Sequence, residues 1–465
     1  MPLYPVKPVE RSVLVTARTL DPHPHRSIWR IAGPAIVANT SGPMVGLVDT
    51  WAIGHLPDPA LLGAISLGGF VFSFIYWSLG FLRMGTTGLV AQAYGSGEDD
   101  RLNRVVLRSM ALGVAIAVLV LAAQRPLLAL SFAVFAPGDA LAGHVQEYVL
   151  IRIWAVPAAL VKIAVVGFLI GTQRARTALM LELVLNITNA GLDLLFVVGF
   201  GWGVAGVAAG SVIAEWLAAG VAVAVLVRLL GAGRIRAVLG QARFWRAEEF
   251  VRLLSVNAFL FVRTLFLLAA FALVYRTGTQ LGEVTLAANH VLLTFTTLIA
   301  LGLDGLAYAA EALVGEAVGR DSRARFNQMV VLSTAWAGAM SLAYTAVFAL
   351  WGEAIVAGLT DQLAVRAAAS QQLALFAALP VVAVWSYQLD GIFIGATRTA
   401  EMMWTMMISF AIFAALVAWL VPAGGNRALW SAFLVFFALR GVGLGLCYPL
   451  IVRSIPVSPR ERRAL

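Results

Sequence analysis

The stretch SGPMVGLVDTWAIG, residues 41–54, places a single carboxylate, that of Asp49, inside a long apolar run that begins near Ile28. No lysine or arginine occurs between residues 31 and 54. A run of about 20 apolar residues is typical of a helix that spans a membrane. An acid inside such a helix costs roughly 2.5–3.5 kcal/mol on insertion scales, and residues that carry this cost usually have a function or a partner. We therefore expect Asp49 to hold a cation between membrane helices.

The whole chain shares this apolar character. Of its 465 residues, 61% are hydrophobic and only 12% are charged, whereas a soluble domain has about 25% charged residues. The formal net charge of +9 indicates arginine-rich loops on one side of a membrane rather than a nucleic-acid partner. The single cysteine, Cys447, excludes a disulfide within the chain and a metal cluster built on cysteines.

Apolar runs predict twelve transmembrane helices, at residues 28–53, 61–84, 101–124, 145–170, 176–199, 203–230, 250–275, 284–318, 327–351, 365–394, 400–421 and 428–452. Arginine is concentrated in alternate connections, for example at Arg101 and Arg104, whereas the segments 54–60 and 200–202 contain no lysine or arginine. By the positive-inside rule, both termini are expected in the cytoplasm. The sequence thus predicts a multi-pass protein of the cytoplasmic (inner) membrane.

An internal repeat appears at an offset of 224 residues. FLIGTQR (168–174) aligns with IFIGATR (392–398), and LVAQAYG (89–95) aligns with LVGEAVG (313–319). Equal orientation of the two halves implies parallel repeats. We therefore expect an all-α membrane protein with two six-helix lobes related by a pseudo-two-fold axis along the membrane normal. The expected segments are a disordered cytoplasmic tail (1–27), an N-lobe (28–230), a cytoplasmic linker (231–249), a C-lobe (250–452) and a basic cytoplasmic tail (453–465).

Depth along the helices brings polar residues of the N-lobe together. Asp49 lies roughly 7 Å below the outer end of the first helix, and Asp193 lies at a comparable depth in the fifth. Asn189 is one turn from Asp193 on the same face, and Ser211 of the sixth helix is near the Asn189 level. These oxygens suit a hard cation such as Na⁺, and two close carboxylates also suit a proton, since one of them would have a raised pKa. The alternative is that Asp49 and Asp193 only form hydrogen bonds to backbone groups and hydroxyls of neighbouring helices.

The C-lobe lacks this site, because at the same offset Asp49 falls on Leu273 and Asp193 falls on Val417. Its own charged residues form a possible network of Arg263, Asp304, Glu311 and Asp390. Arg263 is expected near the middle of the membrane and needs an acidic partner, for which Asp390 and Glu311 are the candidates. The network would be either a buried structural ion pair or a switch linked to a substrate or a proton.

Four long stretches resemble the multidrug and toxic compound extrusion (MATE) family, in its DinF-type branch: IAGPAIVANTSGPMVGLVDTWAIGHL, GFLRMGTTGLVAQAYG, LDGLAYAAEALVGEAVG and QLDGIFIGATRTAEMM. The resemblance covers about residues 28 to 452. It implies a secondary active exporter that moves organic cations or amphipathic compounds against H⁺ or Na⁺ entry. By position, the residues that match the family's cation site are Asp49, Asn189, Asp193 and Ser211.

Pro34 matches a first-helix proline that the family links with bending of that helix. Proline removes a backbone hydrogen bond and so permits a kink. Pro34 also lies near the start of the predicted helix, where proline is tolerated without any role in bending, so the sequence leaves both interpretations open.

Two other functions are considered. A flippase for a lipid-linked precursor would need many basic residues in its cavity, but few lie well inside the helices: Arg152, Lys162, Arg263 and Arg440. A membrane enzyme would need a motif such as GxxxxGK[ST] or HExxH, and the sequence contains neither. We therefore expect no enzyme and no cofactor besides H⁺ or Na⁺ as coupling ion. The expected partners are small-molecule drugs and the lipid bilayer, with no nucleic acid, and a monomer suffices.

Overall fold

The computed structural model describes residues 20–54, 59–135 and 138–456, with side chains throughout except at 44–54, 59, 60, 62, 134, 139 and 140. Over these residues the chain forms helices and contains no β-strand. The α-helices are α1 (Pro24–Gly54), α2 (Pro59–Leu79), α3 (Phe81–Ser96), α4 (Asp99–Ala122), α5 (Gln124–Phe135), α6 (Asp139–Arg152), α7 (Val156–Gly171), α8 (Ala175–Asp193), α9 (Gly203–Leu230), α10 (Ala232–Leu239), α11 (Ala247–Gln280), α12 (Glu283–Gly319), α13 (Arg323–Leu359), α14 (Leu363–Ser370), α15 (Leu373–Gly395) and α16 (Thr399–Ser454).

Ten helical stretches among the described residues are long and apolar enough to cross a membrane. One of them, α16, has 56 residues, whereas a single span needs about 20. Its helical geometry is broken at Gly425, where φ is 55° and ψ is −143°, so α16 supplies two spans. Together with α1, which has 31 residues, the described helices account for the twelve predicted spans.

Several helix bounds differ from the prediction. The predicted second helix, 61–84, ends too early, because α3 continues it to Ser96. Most of α3 is buried against other helices and not exposed to lipid. Its residues therefore need not all be apolar, and the apolar run in the sequence ends before the helix does. The predicted connection 125–144 contains α5, and the predicted helix 365–394 is divided into α14 and α15.

Helix α1 packs against both halves of the molecule. It lies along α8 of the N-terminal half and along α12 of the C-terminal half. The two helices approach closely at Gly305 of α12, where a Cβ would overlap the side chain of Ile36. A shift of one half relative to the other must therefore change the surroundings of α1.

The two halves also meet where α3 crosses α12, at the end of the bundle that carries Arg101, Arg174, Arg320 and Arg398; we call this the basic end. A Cβ on Gly95 would overlap the carbonyl oxygen of Glu316, and a Cβ on Gly319 would overlap that of Gln92. Gly95 and Gly319 are equivalent at the 224-residue offset, and so are Gln92 and Glu316. The two contacts are therefore copies of one another, as a pseudo-two-fold axis between the halves requires.

Candidate cation-coupling site

Three of the predicted site residues lie in one polar cluster between α8 and α9. Asn189 Nδ2 donates hydrogen bonds to Asp193 Oδ2 at 3.0 Å and to Ser211 Oγ at 3.3 Å. Asp193 is fully buried, and Ser211 is 4% exposed. The amide thus links a buried carboxylate on its own helix to a buried hydroxyl on the next.

Local backbone structure sets the position of Asp193. It is the last residue of α8, and a π-helical turn, Leu194–Gly199, follows it. Such turns occur frequently at functional sites. Across from it on α9, a Cβ on Gly210 would lie 2.5 Å from Asp193 Oδ1, which is closer than Cβ atoms come in real structures. Glycine at position 210 therefore makes the space in which the carboxylate lies.

Asp49 belongs to α1, but its side chain lies outside those that the structure describes, so its place in the cluster stays a prediction. The neighbouring part of α1 does contact α8, because Asn186 Nδ2 donates to Ser41 Oγ at 2.7 Å. Sequence reasoning missed this pair. The signal was available, because Ser41 is in the same polar stretch as Asp49 and Asn186 precedes Asn189 by three residues, nearly one helical turn.

Pro34 lies inside α1, ten residues after its first residue, Pro24. The prediction that it is close to the helix start is therefore wrong, since α1 begins earlier than the apolar run does. An interior proline cannot donate to the carbonyl four residues before it, and helices kink at such positions. A second proline, Pro43, also lies inside α1, so two turns of this helix lack a backbone hydrogen bond.

In the C-lobe, Asp390 of α15 lies between two arginines. It forms a close ion pair with Arg263 of α11, and its Oδ2 accepts a hydrogen bond from Arg440 Nη2 of α16 at 2.8 Å. All three side chains are buried. Of the two acids considered as the partner of Arg263, the structure brings Asp390 into contact, and it adds Arg440.

Glu311, the other candidate, pairs with Arg83 of the N-lobe instead. Arg83 Nη1 lies 2.8 Å from Glu311 Oε2, and Arg83 Nη2 lies 3.3 Å from Glu311 Oε1. The guanidinium group also stacks over the ring of Tyr308, 3.9 Å from its centroid. This bidentate pair joins α3 to α12 and so connects the two lobes. Its partners are 228 residues apart, a separation at which sequence patterns predict no contact.

Asp304, on α12, lies within electrostatic range of both Arg83 and Arg263. Among the described residues it makes no hydrogen bond and no ion pair. The predicted network of Arg263, Asp304, Glu311 and Asp390 therefore falls into two direct ion-pair groups, with Asp304 near both.

A further buried group lies in the N-lobe around Lys162 of α7. Its Nζ is 3.3 Å from Glu182 Oε2 of α8 and 3.6 Å from Glu215 Oε2 of α9. Two carboxylates thus face one ammonium group. No three His, Cys, Asp or Glu residues in the described part of the chain are grouped so that they could hold a metal ion.

Comparison with known proteins gives a family. The family model MatE matches the chain twice, over residues 34–195 and 258–420. These segments begin at the same offset as the sequence repeat. DNA damage-inducible protein F of Escherichia coli (strain K12) is 36% identical over 421 residues, which are 90% of this chain and 91% of that protein.

Two further comparisons agree with this result. A probable multidrug resistance protein NorM of Neisseria meningitidis (serogroup A, strain Z2491) is 24% identical over 326 residues, 67% of this chain and 69% of that protein. The solved outward-facing conformation of a multidrug resistance MATE family transporter superposes with a TM-score of 0.82 at 18% identity, covering 94% of this chain and 97% of that one.

These similarities confirm the predicted fold, twelve helices in two lobes, and the DinF-type resemblance. They also confirm that the chain is related to transporters and not to enzymes. The chain belongs to the MATE family of membrane transporters.

Proposed function

We propose that this protein is a secondary active multidrug exporter that moves organic cations or amphipathic compounds against H⁺ or Na⁺ by alternating access. The observation that supports this most directly is the Asn189–Asp193–Ser211 cluster beside α1, in which Asp193 and Ser211 are buried. An acid in the membrane interior carries a free-energy cost that a coupling function explains. Asp49 is proposed as the second carboxylate of this site.

The coupling follows from charge. When Asp193 and Asp49 are ionised, their negative charge favours a cationic drug in the N-lobe. When a proton or Na⁺ binds there, that attraction is removed, so the two ligands oppose one another through a coupling free energy. The same event is proposed to bend α1 at Pro34, because helix bending is easiest where the backbone hydrogen bond is absent.

The closed basic end supports alternating access. Gln92 Nε2 donates to the Gly395 carbonyl at 3.0 Å, and Gln173 Nε2 donates to Glu316 Oε2 at 3.1 Å, so the lobes interlock there. Both termini and the basic end are proposed to lie in the cytoplasm of a bacterial inner-membrane protein, as the positive-inside rule predicts. The lobes 28–230 and 250–452 would then rock about the linker 231–249, and a monomer suffices.

The charges of the C-lobe are proposed to act as a switch in this cycle. The Arg83–Glu311 pair crosses between the lobes, so it must break when they separate at the basic end. Asp304, whose charge interacts with that of Arg83, is the acid proposed to take Arg83 as its next partner. This change of partner would make the charge near a bound substrate depend on whether the basic end is open or closed.

A flippase is less well supported by the same side chains. Its substrate would carry a pyrophosphate, which needs basic groups free to bind it. The buried basic residues already have partners: Arg263 and Arg440 share Asp390, and Lys162 lies beside Glu182 and Glu215. Their charges are therefore largely balanced within the protein.

The function is tested by efflux of a fluorescent cationic dye from proteoliposomes. Either a Na⁺ gradient at constant pH or a pH gradient without Na⁺ is imposed on the wild type, Asp193→Asn and Asp49→Asn. We expect one gradient to drive efflux in the wild type and both variants to lose it at least tenfold, since removal of an interaction with an ionised group costs about 1.5–3 kcal/mol. The matched control is Asp361→Asn, an exposed acid in a connecting segment, which should behave like the wild type.

Efflux that persists unchanged in both variants would contradict the site. If the dye is retained under both gradients and a labelled lipid instead moves from one leaflet to the other, the protein is a flippase and not an exporter.

A further inference from the structure

A polar pocket lies outside the cation-coupling site, at the basic end. It has a volume of about 230 Å³ and is bounded by α4, by the start of α11 and by the 3₁₀ turn Ala242–Trp245 between α10 and α11. Five arginines and two glutamates line it: Arg101, Arg104, Arg108, Arg243, Arg252, Glu98 and Glu249. A pocket with this excess of positive charge attracts anions.

Two of the arginines already have acidic partners. Arg101 Nη1 lies 3.4 Å from Glu98 Oε1, and Arg108 Nη1 lies 3.0 Å from Glu249 Oε2. Both glutamates of the pocket are thereby neutralised. The three remaining side chains, Arg104, Arg243 and Arg252, form no ion pair with any acid in the described ranges of the chain. Three like charges that line one pocket from three elements repel one another, and an anion between them would offset that repulsion.

Arg108 makes the pocket a fixed structure. Its Nε donates to the Phe244 carbonyl at 2.9 Å, and its Nη2 donates to the Arg243 carbonyl at 2.7 Å. The guanidinium group also lies 5.6 Å from the ring centroid of Phe244. The side chain is 3% exposed. It therefore holds the 3₁₀ turn, with Arg243, against α4, and the charged wall is organised before any ligand arrives.

The surface beside the pocket is apolar. Val251 and Leu254, which flank Arg252 on α11, are 62% and 52% exposed, and Trp245 next to the 3₁₀ turn's Phe244 is 63% exposed. Tryptophan with a polar and an apolar side is typical of the membrane–water interface. A soluble anion would use only the arginines, whereas a phospholipid would use both surfaces, with its phosphate in the pocket and its acyl chains along α11.

We propose that this pocket binds the headgroup of an anionic phospholipid, with Arg104, Arg243 and Arg252 as the phosphate ligands. Basic pockets at the ends of transmembrane helices are suited to such headgroups. The lipid contacts α4 of the N-lobe and α11 of the C-lobe at once. Its binding thus adds a contact between the lobes beside the linker.

Native mass spectrometry of the purified, delipidated transporter tests the proposal. The protein is incubated with phosphatidylglycerol or with phosphatidylcholine, and inorganic phosphate is added as a competitor. We expect one phosphatidylglycerol to bind at least tenfold more tightly than phosphatidylcholine, and millimolar phosphate to leave it bound. The variant Arg104→Gln/Arg243→Gln/Arg252→Gln should lose at least tenfold in affinity, because each basic residue at a charged membrane surface contributes about 1 kcal/mol.

The matched control is Arg176→Gln/Arg234→Gln/Arg453→Gln, which removes the same charge from exposed positions of the basic end and should bind like the wild type. If the triple pocket variant does not fold, Arg252→Gln alone carries the test, with an expected loss of about fivefold. Equal phosphatidylglycerol binding by pocket variant and control would overturn the proposal, as would equal binding of phosphatidylcholine. Displacement of the lipid by inorganic phosphate would instead make the pocket a soluble-anion site.

Discussion

At the scale of single residues, the membrane interior of this protein is organised by charge balance. Asp390 is shared by two arginines, and Lys162 is shared by two glutamates. A charge left alone in such a place is strongly destabilising, whereas a paired one is tolerated. Asp193 is fully buried at the end of α8, where Asn189 donates a hydrogen bond to its Oδ2. We propose it as a group that exchanges its ion during transport.

The substitution Gly210→Ala tests how closely the protein fits Asp193. The new Cβ would lie 2.5 Å from Asp193 Oδ1, so the carboxylate must shift, which disturbs its hydrogen bond from Asn189. We expect gradient-driven dye efflux to fall at least tenfold, since the loss of a hydrogen bond to a charged group costs about 1.5–3 kcal/mol. Gly220→Ala is the control, because it lies on the same helix and a Cβ there meets no atom within 4 Å. Similar efflux in both variants would show that the carboxylate position is unimportant.

At the scale of the elements, α1 connects the two lobes along its length. Its middle contacts α8 through Ser41 and Asn186. Just before its start, the Asp21 backbone N–H donates to Gln328 Oε1 at 2.9 Å, and Gln328 Nε2 donates to the Asp21 carbonyl at 3.1 Å, so α1 begins on α13 of the C-lobe. A helix fixed to the C-lobe at one end and to the N-lobe further along must deform when the lobes move. The two interior prolines of α1 make such a deformation easier.

The anchor of α1 should depend on pH through Asp21. Burial disfavours its charge, but hydrogen bonds from Ser27 and from the His23 backbone, together with the positive charge of Arg325, hold the pKa of Asp21 below its ordinary value of 3.8. A carboxyl group with a lowered pKa stabilises the folded state above its unfolded pKa, and that contribution is lost as the pH falls through the folded value.

We therefore expect Asp21→Asn to lower the thermal unfolding midpoint in detergent at pH 7 and to have a smaller effect at a pH below 3.8. The measurement is a pair of melting curves for each protein at the two pH values. Asp361→Asn, on an exposed acid, is the control. A difference between Asp21→Asn and wild type that is equally large at both pH values would exclude the charge of Asp21 as its cause.

At the scale of the whole molecule, the closed basic end is a crossing of two equivalent helices. Reciprocal glycine contacts, Gly95 on Glu316 and Gly319 on Gln92, bring the backbones of α3 and α12 together. Small residues at helix crossings allow this close approach in membranes. The gate is thus made mainly by backbone packing, with Arg83–Glu311 as an ion pair across it.

Gly95→Ala should shift the molecule toward a state that is open at the basic end. A Cβ at this position would overlap the Glu316 carbonyl, so the two helices must separate. We expect a longer distance between spin labels at the exposed positions 99 and 327, measured by double electron–electron resonance with Cys447 replaced by serine. Gly338→Ala, where a Cβ meets nothing within 4 Å, should leave the distance distribution as in the wild type. An unchanged distribution in Gly95→Ala would mean that the crossing does not hold the gate.

The sequence by itself determined the class, the helices and the repeat. Apolar runs must be long enough to cross a bilayer, so the pattern of the sequence shows their length and number. The repeat at 224 residues predicted the equivalence that the Gly95 and Gly319 contacts display. Asn189, Asp193 and Ser211 could be placed together because helical geometry and depth are local properties. The bounds of α3 could not be predicted from the sequence, since most of its surface is covered by protein and not by lipid.

Only the tertiary structure decided the partners of the charges. The apolar pattern places Arg263 and Arg440 well inside the helices, but it does not show which acid each one meets. Glu311 was an equally good candidate for Arg263 until the lobes were packed, and it pairs with Arg83 across the interface. Ion pairs between helices depend on how whole helices rotate and tilt against one another. That arrangement is set by the packing of all the surfaces at once, so no short segment of sequence determines it.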